Sequence, residues 1–331
     1  MNKTKQKYLE KAQDLLKYCV TCQPYEGGDY IWVLGEETTV DEIFDEINCP
    51  ERYRDEIAEH LVCDNCSADI TSRYDTVGKE DRYEIELQDF VKKSLKEYGK
   101  ELLDFYHFLE QYPSLGQSTV LGRKLFKEIN AGQLPVIAVK NKEWIRVRDV
   151  TSSKILGEED MKAPPLGLSS DGRYNHAGQS NLYLAIDEET AVREVIGEDK
   201  SCIIWKQKFL IKSLENILDL KHEWTSLNTT LNSIFIALLS SEILEKKVLQ
   251  RGSTWKPEYF ITQFIGDCAR YAGYSGIRYN STKKTGENLV IFDPQFLIEK
   301  QHIIHLEQPQ VITYNPKEEE EYIWNFDDLP F

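Results

Sequence analysis

The sequence predicts an α+β protein, with a mainly helical N-terminal domain followed by a mixed α/β domain. Three observations carry this reading. Apolar residues recur at helical spacing up to about residue 112, a stretch rich in breakers follows (Pro113, Gly116, Gly122, Gly132, Pro135), and from Trp144 onward β-branched and aromatic runs alternate with helical ones. With 331 residues, 41% of them hydrophobic, the chain is long enough to build two cores. The expected boundaries are 1–112 for the helical domain, 113–142 for a connector, 143–315 for the second domain and 316–331 for an acidic tail.

Taken in order, Leu9, Ala12, Leu15, Leu16 and Cys19 define a first helix face. Thr39 is placed to cap the helix VDEIFDEI, and Pro50 suits the first turn of the next one. Leu87, Phe90, Val91, Leu95 and Tyr98 define a further helix. In the second domain IRVRDV, NLYLAI, CIIWKQKFLI, GIRYN and NLVIF read as strands. Leu227–Leu249 reads as an apolar core helix, and Pro257–Ala272 as a helix with Pro near its start and Gly273 just past its end. The tail NPKEEEEYIWNFDDLPF reads as a solvated end.

Forty basic against fifty-six acidic side chains give a net charge of −16, which argues against a broad nucleic-acid surface, because cations on the protein supply most of that affinity. No run approaches the roughly 20 apolar residues of a membrane span. The N-terminus lacks a leader-like apolar run, so the expected setting is cytoplasmic, where seven cysteines point to metal or reduced thiols before disulfides.

Cys19 and Cys22 form one CxxC pair, and Cys63 and Cys66 form a second. Two such pairs can complete a tetrahedral thiolate shell, so a structural zinc is expected; four metal-free thiols or a redox pair are the alternatives. Cys49, Cys202 and Cys268 are unpaired and read as packing residues. Arg54 and His60 have the spacing seen in helical nucleases of the HEPN class. Six helical steps set them about 240° apart, so the plainer reading is a charged helix surface.

The stretch GRYNHAGQSNLYLAIDEETAVREV sets Arg173 and Asn175 in a turn, Tyr183 on a strand and Glu194 on a helix. Arg146 lies upstream and Ser281 downstream. Singly, each residue has a plain role: Arg173 and Asn175 as turn formers, Ser281 as loop chemistry, and Glu194 on the solvated edge of its helix. His176, in the same turn, is a candidate pocket residue that titrates near neutrality.

Together with TQFIGDCARYAGYSGIRYNSTKKTGENLVIFDP, these segments resemble the RES family, named for its Arg, Glu and Ser, over roughly Trp144–Phe296. The N-terminus resembles the helical domain that precedes RES in some members. The resemblance implies a fold related to ADP-ribosyltransferases, NAD as substrate and cleavage of its nicotinamide–ribose bond, in toxins that deplete NAD by transfer to water or phosphate. It places the family residues on Arg146, Glu194 and Ser281, with Arg173, Tyr174, Asn175 and Tyr183 as further substrate contacts. Ile145 stands where many relatives carry an aromatic, and Tyr174 where Trp is usual.

Arg146 and Arg173 would grip the pyrophosphate with forked hydrogen bonds. Glu194 would stabilise the positive charge that develops on the ribose carbon as nicotinamide leaves. The alternatives are ADP-ribosyl transfer to a macromolecule, or a module that holds a nucleotide without turnover. An antitoxin or regulatory protein and an oligomer fit this reading; no nucleic acid or membrane partner is expected.

Overall fold

The computed structural model describes residues 3–23, 32–80, 82–132, 134–150, 155–196, 201–221, 233–241, 243–244, 246, 255–282 and 286–315. The chain divides into two compact units, Met1–Phe90 and Val91–Phe331, and the division falls inside one long helix.

The N-terminal unit runs α1 (Lys3–Leu15), β1 (Tyr18–Cys19), β2 (Glu36–Thr39), α2 (Val40–Glu46), α3 (Glu51–Ala58), β3 (Thr76–Lys79) and the start of α4 (Arg82–Gln111). Ala12, Leu16, Ile43, Phe44, Ile57 and Leu61 fill its core. Thr39 caps α2 as expected: its Oγ1 accepts from the Glu42 amide at 3.2 Å, and the Glu42 carboxylate accepts from the Thr39 amide at 2.8 Å. Pro50 stands one residue before α3 as its cap. A small antiparallel sheet of order β1-β3-β2 joins the helices. Its strands are two to four residues long, too short to leave an alternating pattern in the sequence.

Arg54 corrects the surface reading. It is buried, with ion pairs to Asp41 at 3.1 Å, Asp45 at 2.6 Å and Glu51 at 3.5 Å, while His60 is exposed with its Nδ1 3.0 Å from the Glu56 carbonyl. A guanidinium committed to three carboxylates ties α2 to α3.

The second unit continues through α5 (Val120–Asn130), β4 (Val136–Asp149), α6 (Glu158–Met161), β5 (Asn181–Ala185), α7 (Glu188–Ile196), β6 (Cys202–Asp219), α8 (Ser233–Leu239), α9 (Phe260–Tyr271), β7 (Gly276–Asn280), β8 (Glu287–Phe292), α10 (Gln295–Glu299), β9 (Ile303–His305) and β10 (Gln310–Tyr314). It starts upstream of residue 113 because the second half of α4 buries Leu102, Phe105 and Leu109, and the Phe105 ring meets that of Phe264 on α9 at 5.3 Å. β4 begins inside the stretch read as a connector. Its first half is mostly exposed and leaves no apolar signal; what extends it is antiparallel pairing with β6, from Val136 opposite Leu218 to Asp149 opposite Ile204. Of the helix expected over Leu227–Leu249, α8 is present with Ile234–Leu238 buried, a turn follows at 240–241, and most of the remainder lies outside the described residues, as does the tail.

The strands follow the order β10-β6-β4-β5-β8-β7, with β9 also on β6. β7 pairs in parallel with the far end of β6, at Ile217–Asp219, so the order closes on itself. α7 covers Val147, Ala185 and Ile204, and a second apolar cluster packs Trp144, Leu182, Leu184, Phe209 and Ile291 with Met161 of α6. Among the described residues no helix is long and apolar enough to cross a membrane.

Candidate active site

β4 and β5 pair only where Ile145 faces Ala185. Adjacent strand residues point to opposite faces, yet a cleft of about 410 Å³ is lined by both Ile145 and Arg146, and by both Leu184 and Ala185. It therefore lies at the strand edges, where β4 and β5 part. The volume is in the range of small-molecule sites.

Glu194 of α7 lines this cleft, half-buried. Its Oε1 accepts from Ser281 Oγ at 2.7 Å and from Asn288 Nδ2 at 2.8 Å. Ser281 directly follows β7 and Asn288 lies in β8, its antiparallel partner, so the strand pair aims two donors at one carboxylate oxygen. Among the described residues Oε2 has no hydrogen-bond partner. Tyr279 also lines the cleft, and burial, together with the Glu194 charge, raises its phenol well above the ordinary value.

Arg146 enters from β4. Its Nη1 is buried without a hydrogen-bond partner among the described residues. Burial, and then the neighbouring Arg148 charge, push its guanidinium down to about 9, still protonated at neutral pH. A half-buried cation with a buried, unmet donor suits an anionic ligand.

Arg173 lines the cleft as well, but its donors are engaged. Nη1 donates to the Leu244 carbonyl at 2.9 Å, Nη2 to the Lys246 carbonyl at 3.1 Å and to Thr282 Oγ1 at 3.2 Å, and the group lies over the Tyr259 ring at 5.2 Å. Tyr183 Oη donates to Asn175 Oδ1 at 2.8 Å and accepts the Tyr174 amide at 3.0 Å, which fixes the turn from Gly172 to Asn175. Burial raises the Tyr183 phenol, keeping it a neutral donor. Gly172 is required there, since a Cβ would come within 2.3 Å of Asn175 Oδ1 and 2.8 Å of Tyr183 Oη. Tyr174 is not among the cleft-lining residues; it is buried with its ring 4.7 Å from that of Tyr279, packed behind the cleft wall. His176 does not line the cleft either, and its Nε2 lies 2.9 Å from Asp267 Oδ2.

A family model described as the RES domain matches residues 146–314, just over half of the chain. The chain belongs to the RES family. Among solved structures it is similar to a chain of the M. tuberculosis MbcT-MbcA toxin-antitoxin complex, at 14% identity and a TM-score of 0.36, over 60% of this chain and 95% of that one. No curated protein matches.

Within this RES domain, sequence reasoning missed Asn288. The signal was present: alternation puts Asn288 on the same strand face as Val290 and Phe292, and a buried amide among apolar neighbours demands a partner. Outside the RES match, Cys19, Cys22, Cys63 and Cys66 come together with all four Sγ within 4.8 Å of one another. Cys49 and Cys268 are buried and Cys202 is partly so, as packing residues should be, and none of the seven forms a disulfide.

Proposed function

We propose that this chain cleaves NAD at the bond between nicotinamide and ribose. The observation that carries the reading is the meeting, in one cleft, of a carboxylate clamped by Ser281 and Asn288 with a half-buried Arg146 whose buried Nη1 has unmet hydrogen-bonding capacity. Arg146 takes the pyrophosphate. Arg173, spent on Leu244, Lys246 and Thr282, shapes the cleft and adds positive charge to it.

Nicotinamide is cationic in NAD and leaves as a neutral molecule carrying the electron pair of the broken C–N bond, so no acid is needed at the leaving group. Positive charge grows on the ribose carbon and its ring oxygen. Glu194 opposes that charge, or holds ribose hydroxyls whose hydrogen bonds tighten as it grows. Two donors on Oε1 fix the angle of the carboxylate. An oxygen of water or phosphate then bonds to the ribose carbon in place of nicotinamide; water releases its proton to solvent, whereas a phosphate dianion attacks through an oxygen that carries none. Ser281 acts through Glu194 and is not the nucleophile; no imidazole is among the cleft-lining residues to serve as its base.

Depletion of NAD makes the chain a toxin or defence effector, one that needs restraint by an antitoxin or regulatory protein. The test is to incubate the full chain with NAD, with and without phosphate, and follow nicotinamide. Release is expected, and the ribosyl product then identifies the acceptor. Absence of release under both conditions overturns the proposal in favour of a nucleotide-binding module.

A further inference from the structure

The four cysteines of the N-terminal unit play no part in the chemistry above, and their geometry is specific. We infer that Cys19, Cys22, Cys63 and Cys66 form a zinc site with thiolate ligands only. Zn–S bonds of about 2.3 Å in a tetrahedron set sulfur atoms about 3.8 Å apart. Here Cys22 Sγ lies 3.8 Å from Cys63 Sγ and Cys19 Sγ lies 3.5 Å from Cys66 Sγ, each contact crossing between the two pairs. A disulfide, at about 2.05 Å, would have paired them off instead.

The backbone is shaped for the same end. Cys19 and Cys22 sit on β1 and the single helical turn that follows, where the Cys19 amide donates to Cys22 Sγ at 3.2 Å, a bond that stabilises thiolate charge. Cys63 and Cys66 sit in a tight turn after α3. It is closed by Cys63 N–H to the Ala68 carbonyl and Ser67 N–H to the Cys63 carbonyl, both at 2.8 Å, with Ser67 at φ 59°. The Asn65 amide donates to the Lys17 carbonyl at 3.1 Å, binding this turn to the segment that carries the first pair. Four thiols turned toward one another gain little as weak donors and acceptors, whereas four thiolates on one cation close a crosslink between distant parts of the chain. With four sulfur ligands no position is left for water, so the metal is structural.

Metal analysis of the full chain, purified under reducing conditions without chelator, should find one zinc per chain, and the Cys63→Ser, Cys66→Ser double variant should lose it. Since that variant can fail to fold, the wild-type chain exchanged into cobalt(II) gives an independent reading: near-ultraviolet thiolate-to-cobalt bands and intense tetrahedral d–d bands are expected. Substoichiometric metal, iron in place of zinc, or a cobalt spectrum lacking thiolate bands overturns the assignment.

Discussion

Glu194 shows how far a single residue depends on others remote in the chain. Its helix pattern alone predicts a solvated edge, and the two donors that draw it into the cleft stand 87 and 94 residues downstream. No local window contains both ends of that contact. Glu194→Gln should lower the turnover number for nicotinamide release by about 100- to 1,000-fold, the usual loss for a group that stabilises developing charge. Ser281→Ala and Asn288→Ala should each lose roughly 10- to 100-fold, since each removes a hydrogen bond to a charged group. Because both bonds fall on the same oxygen, the double variant should lose less than the product of the two; full additivity would mean that they act on different things. The Cys pairs were legible from spacing alone because each pair is local. Arg173 lines the cleft, but the carbonyls that engage its guanidinium were not legible, since Leu244 and Lys246 lie 71 and 73 residues away.

At the scale of elements, the turn that carries Arg173 and Asn175 is anchored on α9. Gln263 Nε2 donates to the carbonyls of Gly172 and Asn175, both at 3.1 Å, and Gly266 lets the helix approach, since a Cβ there would come within 2.7 Å of the Tyr174 carbonyl oxygen. His176 and Asp267 add an ion pair to the same junction. The Asp267 hydrogen bond raises His176 above its ordinary 6.5; for Asp267 burial is the largest influence and pushes upward, but the His176 bond and charge, the Gln179 bond and the Arg270 charge together hold it below 3.8. The histidine's contribution is complete below pH 6.5 and fades as pH rises through its raised value. The aspartate's is complete above pH 3.8 and fades as pH falls through its lowered one. Melting temperature should therefore sag above neutrality more steeply in wild type than in His176→Gln; parallel curves would show that the pair contributes nothing. Both groups are more than two-fifths exposed, so the effect is small. α9 and five of the seven strands of the second domain, β4 to β8, could be read from their residue patterns. β1, β2, β3, β9, β10 and the first half of β4 could not, being too short or too exposed to leave a pattern.

The whole molecule holds separate cores, one drawn from residues between Tyr8 and Val77 and others from Ile137 to Tyr314. Calorimetry should accordingly resolve two transitions, and a zinc chelator should lower one and spare the other; a single transition moving as a whole would contradict this. Much of the second unit hangs on β6, whose Cys202–Asp219 span pairs with β4, β7, β9 and β10. One residue gained or lost near Gln207 would turn Phe209 and Ile211 out of the core and shift the partners of several strands at once. In hereditary terms, side chains along β6 have some latitude while its length has almost none. Frame-preserving insertions and deletions in descendants of this gene should collect in the loops and leave that one segment at a constant count.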